Sequence, residues 1–480
     1  MSISIPFRTL ETIPRRIEQS YEPDFNLTDE ETLTRMEAEI PNVPVKFWRS
    51  VEKKLHIMQK GGNCAQMPNI FELAFNNLVW QQVKTSKGTF YLYSAYFDIR
   101  PLSPAPTLRI LSMIEQVEPT VPTFCQIWFE NSTKPVIANV SQYRILWNKA
   151  WGTGNKIHPF SIECEVPSVN NKTVVPVAVS VVENSCDKAS NLVKVTHRTL
   201  EPGKKKSIAV CVKRMQFVHE EPVFKLIEFL ELVRVLGAEK VYLYAYEPQP
   251  NPRVERILRY YEAQGLLEVS RVTMPASRPN SPILRHLFFE KHGTLVYIHQ
   301  MVSICDCIYK SFYQHDLVAL IDLDEVIIPE NGLTWREIIK NVTNGTGYSA
   351  ITFNNAYYPL NNPKPENWNP GFPAEFPMLN TVYRLANYSK PGDYVKPFLN
   401  TSDVLIAHSH LPLGCIGPGC RRKDVPVSAG TWHHYRTDLK GEMKNQPSSD
   451  NTTVADYSLW KWKDELVKRA TRAAKDLGYL

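Results

Sequence analysis

From Ser207 onward the chain alternates strand-like and helix-like segments, and this order restricts the fold more than any other feature. An apolar strand pattern at 207–212 precedes a helical pattern that ends at Gly237, and a strand, a helix and a strand follow up to Val272. The first helical segment has apolar residues at helical spacing: Val223, Leu226, Ile227, Leu230, Val233 and Leu236. This β-α-β-α-β order is typical of a mostly parallel sheet covered by helices on both faces. We therefore predict an α/β domain over residues 201–480.

The preceding residues have a different pattern. A chain of 480 residues exceeds the usual size of one compact core, so at least two domains are expected. Residues 1–80 are polar and interrupted by proline, and we predict a stem or a cap there. Residues 81–200 contain short alternating apolar runs bounded by Pro, Asn and Ser, which predict a β-rich, sandwich-like domain.

Composition excludes some classes of partner. The chain is 43% hydrophobic, and its net charge of +6 is small for its length. The only tight basic run, 204–206, is typical of a solvated turn. The sequence therefore does not predict a nucleic-acid-binding surface.

Glycosylation sequons indicate the compartment. No run of about 18 apolar residues is present, and the first residues lack the pattern of a signal peptide. The chain nevertheless has nine Asn-x-Ser/Thr sequons, more than the roughly three or four expected by chance. They begin at Asn26, Asn131, Asn139, Asn171, Asn341, Asn344, Asn387, Asn400 and Asn451. We expect a protein of the Golgi lumen or another part of the secretory pathway, associated with the membrane in its full-length form through an anchor or signal that lies outside this sequence.

The nine cysteines fit an oxidising compartment. Because the number is odd, at least one is unpaired within the chain. Cys305 and Cys307 lie two residues apart on a helix predicted over 297–313, where they point to different sides and are not expected to bond each other. Cys415 and Cys420 lie in a Gly/Pro-rich segment and can close a short loop.

An apolar run at 319–329 includes Asp322 and Asp324, and we predict a buried strand that delivers both carboxylates at its end. Two carboxylates at i and i+2 where a strand opens into a loop can reach one divalent cation. Three interpretations fit: a solvated strand end, the metal site of a nucleotide-sugar transferase, or the nucleophile strand of a dehalogenase-type phosphatase.

The position of the aspartates disfavours the phosphatase. The pair follows several complete βα units, about 115 residues into the α/β domain, whereas such a phosphatase has its nucleophile on the first strand. It also needs a later Asp-Asp or Gly-Asp-x-x-x-Asp for magnesium, and the sequence after Glu325 contains neither.

From about Tyr91 onward the sequence resembles glycosyltransferase family 92. The order and spacing of five landmarks carry the resemblance and cover most of the chain. They are SerAlaTyrPheAspIleArg at 94–100, TyrTyrGluAlaGlnGly at 260–265, AspCysIleTyrLys at 306–310, LeuIleAspLeuAspGluValIleIlePro at 320–329 and HisTyrArg at 434–436.

The resemblance implies a fold, a reaction and its ligands. Characterised members are inverting, metal-dependent galactosyltransferases of the GT-A fold; nematode members act on the fucose of N-glycan cores and plant members extend pectic galactan. For this chain it implies β-linked transfer of galactose from UDP-galactose, with Mn²⁺ or another divalent cation. The acceptor would be a glycoprotein N-glycan or a polysaccharide, and a membrane anchor is expected in the family.

The resemblance also suggests metal ligands. GT-A enzymes usually add a late histidine to the Asp-x-Asp pair, and the candidates here are His408, His410, His433 and His434. We expect His410 and His434 to join Asp322 and Asp324, with Arg436 pairing with the diphosphate. Adjacent His433 and His434 on a strand face opposite sides, so at most one is expected to be a ligand. A less favoured alternative is structural zinc held by His408, His410, Cys415 and Cys420.

Donor-binding and catalytic candidates follow from the same resemblance. Asp306 would orient the donor ribose or uracil, or else pair structurally. The topology of the GT-A fold places the uracil near Val212, Lys213 and Arg214 and the loop to His219. Candidates for the general base of an inverting transfer are Glu366 and Glu375, in a loop where Trp368 can stack on a sugar, and Glu325 is a third.

Two functional hypotheses remain open on the sequence. The first is a GT-A glycosyltransferase, and the second is a carbohydrate-binding protein whose catalytic domain has degenerated. The presence of Asp322, Asp324 and His434 favours the enzyme.

Overall fold

The computed structural model describes most of the chain. The described residues are 27–58, 64–130, 132–152, 157–168, 173–204, 206–217, 222–248, 251–362, 364, 368–437 and 452–480.

Within these ranges the chain forms eight α-helices. They are α1 (Asp29–Glu39), α2 (Val45–Met58), α3 (Val223–Val235), α4 (Pro252–Ala263), α5 (Pro282–Lys291), α6 (Gly293–Ser311), α7 (Trp335–Thr343) and α8 (Lys463–Asp476).

The strands of the described residues divide into an early and a late set. The early set is β1 (Gln81–Thr85), β2 (Gly88–Asp98), β3 (Thr107–Ile114), β4 (Phe124–Trp128), β5 (Val136–Ile145), β6 (His158–Glu165), β7 (Ala178–Val182) and β8 (Val193–Thr196). The late set is β9 (Ser207–Met215), β10 (Lys240–Tyr246), β11 (Leu267–Val272), β12 (His315–Leu320), β13 (Glu325–Pro329), β14 (Ala350–Pro359), β15 (Tyr383–Leu385), β16 (Val395–Asn400), β17 (Val404–Ala407), β18 (Pro412–Cys415), β19 (Arg422–Asp424), β20 (Gly430–Arg436) and β21 (Thr453–Ala455).

The early strands form a closed barrel, where the sequence predicted a sandwich-like domain. Seven strands run in the order β2-β3-β6-β5-β4-β7-β8, and β8 pairs in parallel with β2 to complete the ring. The long strand β2 makes this possible, because β1 pairs with its first half and β8 with its second half. Closure leaves the ring without a free edge.

Strand β2 changes its inward face part-way along. Phe90 and Leu92 point into the barrel core, whereas Ala95 and Phe97 do so beyond an irregularity in the pairing with β3 between Leu92 and Ser94. Such an irregularity shifts the two-residue alternation by one position. Tyr96 is thereby turned outward, away from the barrel core.

Nine of the late strands form one mixed sheet, while β15 pairs with β21 and β17 with β18 in two small sheets. The main order of the mixed sheet is β11-β10-β9-β12-β16-β14-β20-β13, with β19 beside β14. The first four strands are mutually parallel, as predicted, because α3 and α4 return the chain to the same end of the sheet. β12 and β16 pair antiparallel, and so do β16 and β14.

The apolar run at 319–329 forms two strands instead of one. β12 ends at Leu320 and β13 begins at Glu325, and the two strands lie at different positions in the sheet. The predicted aspartates therefore lie in the turn between them.

Helix α6 is buried between the barrel and the mixed sheet. Its apolar side chains, among them Ile298, Met301 and Ile304, pack in one cluster with Tyr91 and Tyr93 of the barrel and with residues of β9 and β10. A helix covered from both sides is expected to be apolar all round. It begins four residues earlier than predicted and ends at Ser311.

The N-terminal helices pack against the barrel. Val45, Trp48 and Val51 of α2 share a buried cluster with Trp128 and Ala178. This segment therefore covers part of the barrel surface.

Four disulfides connect described cysteines. They are Cys64–Cys186, Cys125–Cys164, Cys211–Cys307 and Cys415–Cys420. Cys305 is buried and free, so the predicted separation of Cys305 from Cys307 is confirmed, and so is the predicted closure of the 415–420 loop. The alternative of structural zinc is wrong, since Cys415 and Cys420 are used in a disulfide.

Four of the sequon asparagines in the described residues are exposed, namely Asn139, Asn341, Asn344 and Asn387. Asn400 donates its side-chain amide to Tyr348 O at 3.2 Å. Asn26, Asn131, Asn171 and Asn451 lie outside the described residues. None of the described helices has the length and apolarity that a membrane crossing requires.

Helix α3 has a buried carboxyl group. Glu228 accepts hydrogen bonds from Met378 N at 2.9 Å and Leu379 N at 2.8 Å, which attaches the segment before β15 to the helix. Burial raises the pKa of Glu228 to about 8, although the two backbone hydrogen bonds oppose the rise.

We expect this group to make stability depend on pH. Because the pKa is raised in the folded state, its contribution to stability is complete below about pH 4.5 and is lost as the pH rises through 8. Between pH 5 and pH 9 the free energy of unfolding of the wild-type protein should fall by about 4 kcal/mol relative to that of Glu228→Gln. Urea unfolding across this range measures it, with the exposed Glu239→Gln as control; parallel curves for wild type and Glu228→Gln would contradict the prediction.

Candidate active site

The turn between β12 and β13 is organised by its own carboxyl groups. Asp322 N donates to Glu325 Oε2 at 2.8 Å, and Glu325 N donates to Asp322 O at 3.0 Å. Tyr435 N donates to Asp324 O at 2.8 Å, which ties the turn to β20. Asp322 and Asp324 are thereby held at the end of the parallel strands β9 and β12.

Three side chains of this region form a cluster suited to a cation. Ligand atoms of Asp324, Glu325 and His434 all lie within 4.8 Å of one another. His434 Nε2 is 3.7 Å from Asp324 Oδ2 and 3.7 Å from Glu325 Oε1. Antiparallel pairing of β13 with β20 creates the cluster, because it places Glu325 directly opposite His434.

Aromatic rings fix the orientation of His434. Trp432 stacks on it at 5.1 Å between ring centroids, and Tyr357 of the neighbouring β14 lies at 5.5 Å. Its Nδ1 is buried and has no hydrogen-bond partner among the described residues. The ring is therefore positioned by packing, with Nε2 facing the carboxylates.

Two buried lysines neutralise Asp322 and Glu325. Lys213 of β9 pairs with Asp322 Oδ2. Lys396 of β16 is 1% exposed and lies 2.8 Å from Glu325 Oε2 and 3.4 Å from Asp322 Oδ2. The structure thus separates the aspartates: Asp322 faces the lysines, and Asp324 faces His434.

The pKa shifts follow from these contacts. Burial raises the pKa of Asp322, but the charges of Lys213 and Lys396 outweigh it and hold the pKa below its usual value. Burial also opposes ionisation of Asp324, but the nearby His434, with Nε2 at 3.7 Å from Asp324 Oδ2, outweighs it, so that the pKa of Asp324 is lowered as well. For Glu325 the effect of burial is larger than that of the positive charge of Lys396, so the pKa of Glu325 is raised.

The cluster lies in a cleft of about 680 Å³. This volume is within the range of small-molecule sites. The end of β9 and the two residues after it, from Lys213 to Phe217, line one wall. Residues of α5 and α6 line another wall. The ends of parallel strands are the usual ligand site of open α/β sheets.

The cleft wall carries charges of both signs. Five Lys or Arg residues line it, against four Asp or Glu residues. The basic residues are Lys213, Arg214, Lys225, Lys396 and Arg436. Lys225 lies in the first turn of α3, where the helix dipole also favours an anion. A cleft of this kind can bind a phosphorylated ligand beside a cation.

The structure brings together part of the predicted site. Asp322, Asp324, His434 and Arg436 line one cleft, as do Lys213 and Arg214. His410 lines it too, but its Nδ1 contacts Val395 O at 2.9 Å and it is not a member of the three-residue cluster. Val212 is fully buried in β9 and is not part of the cleft wall.

Other predicted residues lie away from the cleft. His433 points to the opposite side of β20 from His434 and stacks on Tyr358 at 4.5 Å, as alternation along a strand predicts. Glu375 is exposed and does not line the cleft, and Trp368 packs on Trp460 at 5.6 Å. Glu366 and His219 lie outside the described residues.

Asp306 is buried at the junction of the barrel and the sheet. It is 1% exposed and accepts hydrogen bonds from Ser94 Oγ at 2.6 Å, Tyr96 OH at 2.5 Å and Tyr244 OH at 2.7 Å. Lys310 lies 3.2 Å away. Of the two roles predicted for Asp306, these contacts match structural pairing.

Sequence reasoning missed the two lysines as partners and gave Glu325 only a minor role. Lys396 follows Val395 in an ordinary strand pattern, and nothing in the sequence relates it to residue 322. A lysine inside an otherwise buried strand was the available signal, since such a lysine requires a charged partner.

The comparison with protein families agrees with this geometry. A profile of glycosyltransferase family 92 matches residues 206–470. The chain belongs to glycosyltransferase family 92. The match includes the turn at 322–325, Lys213, Lys396 and His434. Family membership supports glycosyltransferase activity. Such an activity requires a sugar donor and a glycan acceptor. No curated protein matches the chain.

Lys396 is expected to be essential for folding of this family 92 site. In Lys396→Met, Glu325 and Asp322 lose a buried cation, and the free energy of unfolding should fall by about 3–5 kcal/mol. Guanidinium unfolding in EDTA measures the change. Lys461→Met is the control, since its pair with Glu330 is about one-third exposed and should cost less than ~1 kcal/mol. Equal stability of the two variants would contradict the role assigned to Lys396.

Proposed function

We propose that this protein is a metal-dependent, inverting GT-A glycosyltransferase that transfers galactose from UDP-galactose to a glycan in β-linkage. The observation that carries the proposal is the cluster of Asp324, Glu325 and His434 inside a cleft that five Lys or Arg residues also line, at the ends of parallel strands. Family membership supports glycosyl transfer. The choice of galactose and of inversion rests on the sequence resemblance.

The cluster fits a divalent cation. Two carboxylates and one imidazole converge within 4.8 Å, and His434 presents Nε2 to both carboxylates. Carboxylate oxygens favour hard cations such as Mn²⁺ and Mg²⁺. When bound, the cation neutralises charge on the diphosphate leaving group. Asp322 supports this site from the lysine side and is not itself a member of the cluster.

The basic residues are suited to the remaining phosphate charge. Arg214, Lys225 and Arg436 line the cleft together with the cluster. Guanidinium groups can bind phosphate oxygens through two parallel hydrogen bonds, which orients the diphosphate as well as stabilising it. Lys213 pairs with Asp322 and Lys396 pairs with Glu325, which holds both carboxyl groups in place.

The sheet supports the GT-A assignment. Strands β11, β10, β9 and β12 are parallel, and the cleft is lined by residues at the ends of β9 and β12. In such sheets nucleotides bind outside the carboxyl ends of the strands. The residues from Lys213 to Phe217 are accordingly proposed to contact the uridine.

The proposed compartment is the Golgi lumen. Four disulfides and four exposed sequon asparagines in the described residues are consistent with the secretory pathway, where thiols oxidise and N-glycans are added.

The test is UDP release from a panel of UDP-sugars with a mixture of glycan acceptors, in Mn²⁺ and in EDTA. We expect release from UDP-galactose that EDTA abolishes. Asp324→Asn should lower it by at least about 100-fold, more than loss of an outer partner of a metal site usually costs. Asp316→Asn is the matched control, since Asp316 is a partly exposed carboxylate on β12 that pairs with Arg336 and does not line the cleft.

Metal binding has a separate readout. Mn²⁺ alone should raise the melting temperature of wild type and of Asp316→Asn, and should not raise that of Asp324→Asn or His434→Ala. Release that persists in EDTA would contradict metal dependence. If no UDP is released from any donor and the protein still binds glycans, the result would favour a carbohydrate-binding protein.

A further inference from the structure

Three aromatic rings from the barrel and the sheet domain meet beside the cleft, and one of them lines it. Trp151, in the connection between β5 and β6, contacts His408 with 4.7 Å between ring centroids. Tyr297 of α6 contacts the same histidine at 6.3 Å and also lines the cleft. We call Trp151, His408 and Tyr297 the aromatic platform.

The local turn holds Trp151 in place. Trp151 N donates to Asn148 O at 3.0 Å, and Asn148 Oδ1 accepts from Ala150 N at 3.0 Å. The indole of Trp147 donates to Gly152 O at 2.9 Å and packs edge-on against Trp151 at 5.1 Å. Trp151 is therefore presented by a folded turn.

The outer rings of the platform are open to solvent. Trp151 is 43% exposed and Tyr297 is 50% exposed. Large aromatic side chains usually bury most of their surface in the core, so fixed and exposed rings beside a cleft are typical of a ligand-binding surface. Aromatic residues provide much contact area at a small cost in conformational entropy.

The outer rings of the platform, Trp151 and Tyr297, are aromatic and lack a charged group. The wall of the cleft, in contrast, carries five Lys or Arg and four Asp or Glu side chains. The charged wall suits a diphosphate beside a cation, and the aromatic rings suit a ligand without charge.

We propose that the aromatic platform binds the acceptor glycan, contacting sugar residues beyond the one that receives the new bond. The proposal rests on the proposed function and adds to it a residue of the barrel, Trp151, as a determinant of acceptor binding. Apolar C–H faces of pyranose rings would pack on Trp151 and Tyr297, as ligands do on aromatic walls. The continuity of the platform with the cleft through Tyr297 is what assigns the acceptor to it.

This arrangement gives the barrel a part in substrate selection. Trp151 belongs to the barrel, and His408 follows β17 of the second unit, so both units contribute to one surface. A glycan on the platform would be held by both. Acceptors with several residues should therefore be favoured over single sugars.

The first experiment measures glycan binding without turnover. Asp324→Asn protein, alone and combined with Trp151→Ala, Tyr297→Ala or Phe71→Ala, is applied to an array of N-glycans and plant polysaccharide fragments. We expect binding of oligosaccharides that Trp151→Ala and Tyr297→Ala each weaken by about 3- to 10-fold. Phe71 is the matched control, since it is 83% exposed, packs on Trp48 and does not line the cleft. No glycan binding, or equal loss with Phe71→Ala, would overturn the proposal.

The second experiment uses active protein and separates the two proposals. The KM of Trp151→Ala should rise about 3- to 10-fold for a pool of released N-glycans and stay unchanged for methyl monosaccharides, while the affinity for UDP stays within about twofold of wild type. Equal KM changes for both acceptor types would overturn the platform and leave the transferase intact. Absence of any transfer by wild type, with array binding retained, would refute the proposed function and leave the platform as a glycan site.

Trp151→Phe should restore part of the affinity for the glycan that Trp151→Ala loses. This variant separates contact of the glycan with the ring from folding of the turn.

Discussion

Burial of helix α6 between the barrel and the mixed sheet is the interaction on which the rest of the structure depends. Its apolar residues are covered from both sides, and Asp306 accepts hydroxyl hydrogen bonds from Ser94 and Tyr96 of the barrel and from Tyr244 of β10. A buried carboxylate is stable only when its oxygens are satisfied. Because two of these partners come from the barrel, separation of barrel and sheet would remove the hydrogen bonds of Ser94 and Tyr96 to Asp306 and expose a large apolar surface. The family landmarks at 94–100 and 306–310 meet at this junction, so part of the resemblance reflects the interface and not the chemistry.

The same junction positions the cleft. Arg100 donates to Thr401 O at 2.7 Å and Val404 O at 3.0 Å, and it lies over the ring of Phe312, next to the segment that carries β17 and His408. The Cys211–Cys307 disulfide joins α6 to β9, two residues before Lys213. The cleft wall is therefore held from the barrel side through α6 as well as from within the sheet. This rigidity suits the proposed cation site, because small displacements would separate the ligand atoms of its three side chains.

Particular residues show how far sequence reasoning reached. The parallel β-α-β-α-β order and the closure of the 415–420 loop are confirmed, and each is encoded over a short stretch by apolar periodicity, capping residues or spacing. The aspartate pair stays a prediction, and of its two members only Asp324 belongs to the three-residue cluster. The closed barrel was missed, since its closure depends on β8 pairing with half of a strand about 100 residues earlier. Lys396 was missed as well, because its link to Asp322 is made by the pairing of β16 with β12. The sequence placed Glu375 near the acceptor, yet the structure leaves it exposed and outside the cleft wall.

By itself the sequence determined the local chemistry of this protein: which segments form strands and helices, which carboxylates and histidines are available, and which family the pattern resembles. These properties depend on neighbouring residues and on periodicity. Only the tertiary structure decided which of those groups act together. Strand register placed Glu325 opposite His434, and packing against α6 brought Trp151 of the barrel to His408. The physical reason is that a binding site is a set of distances between residues far apart in the chain, and such distances arise from strand pairing and core packing.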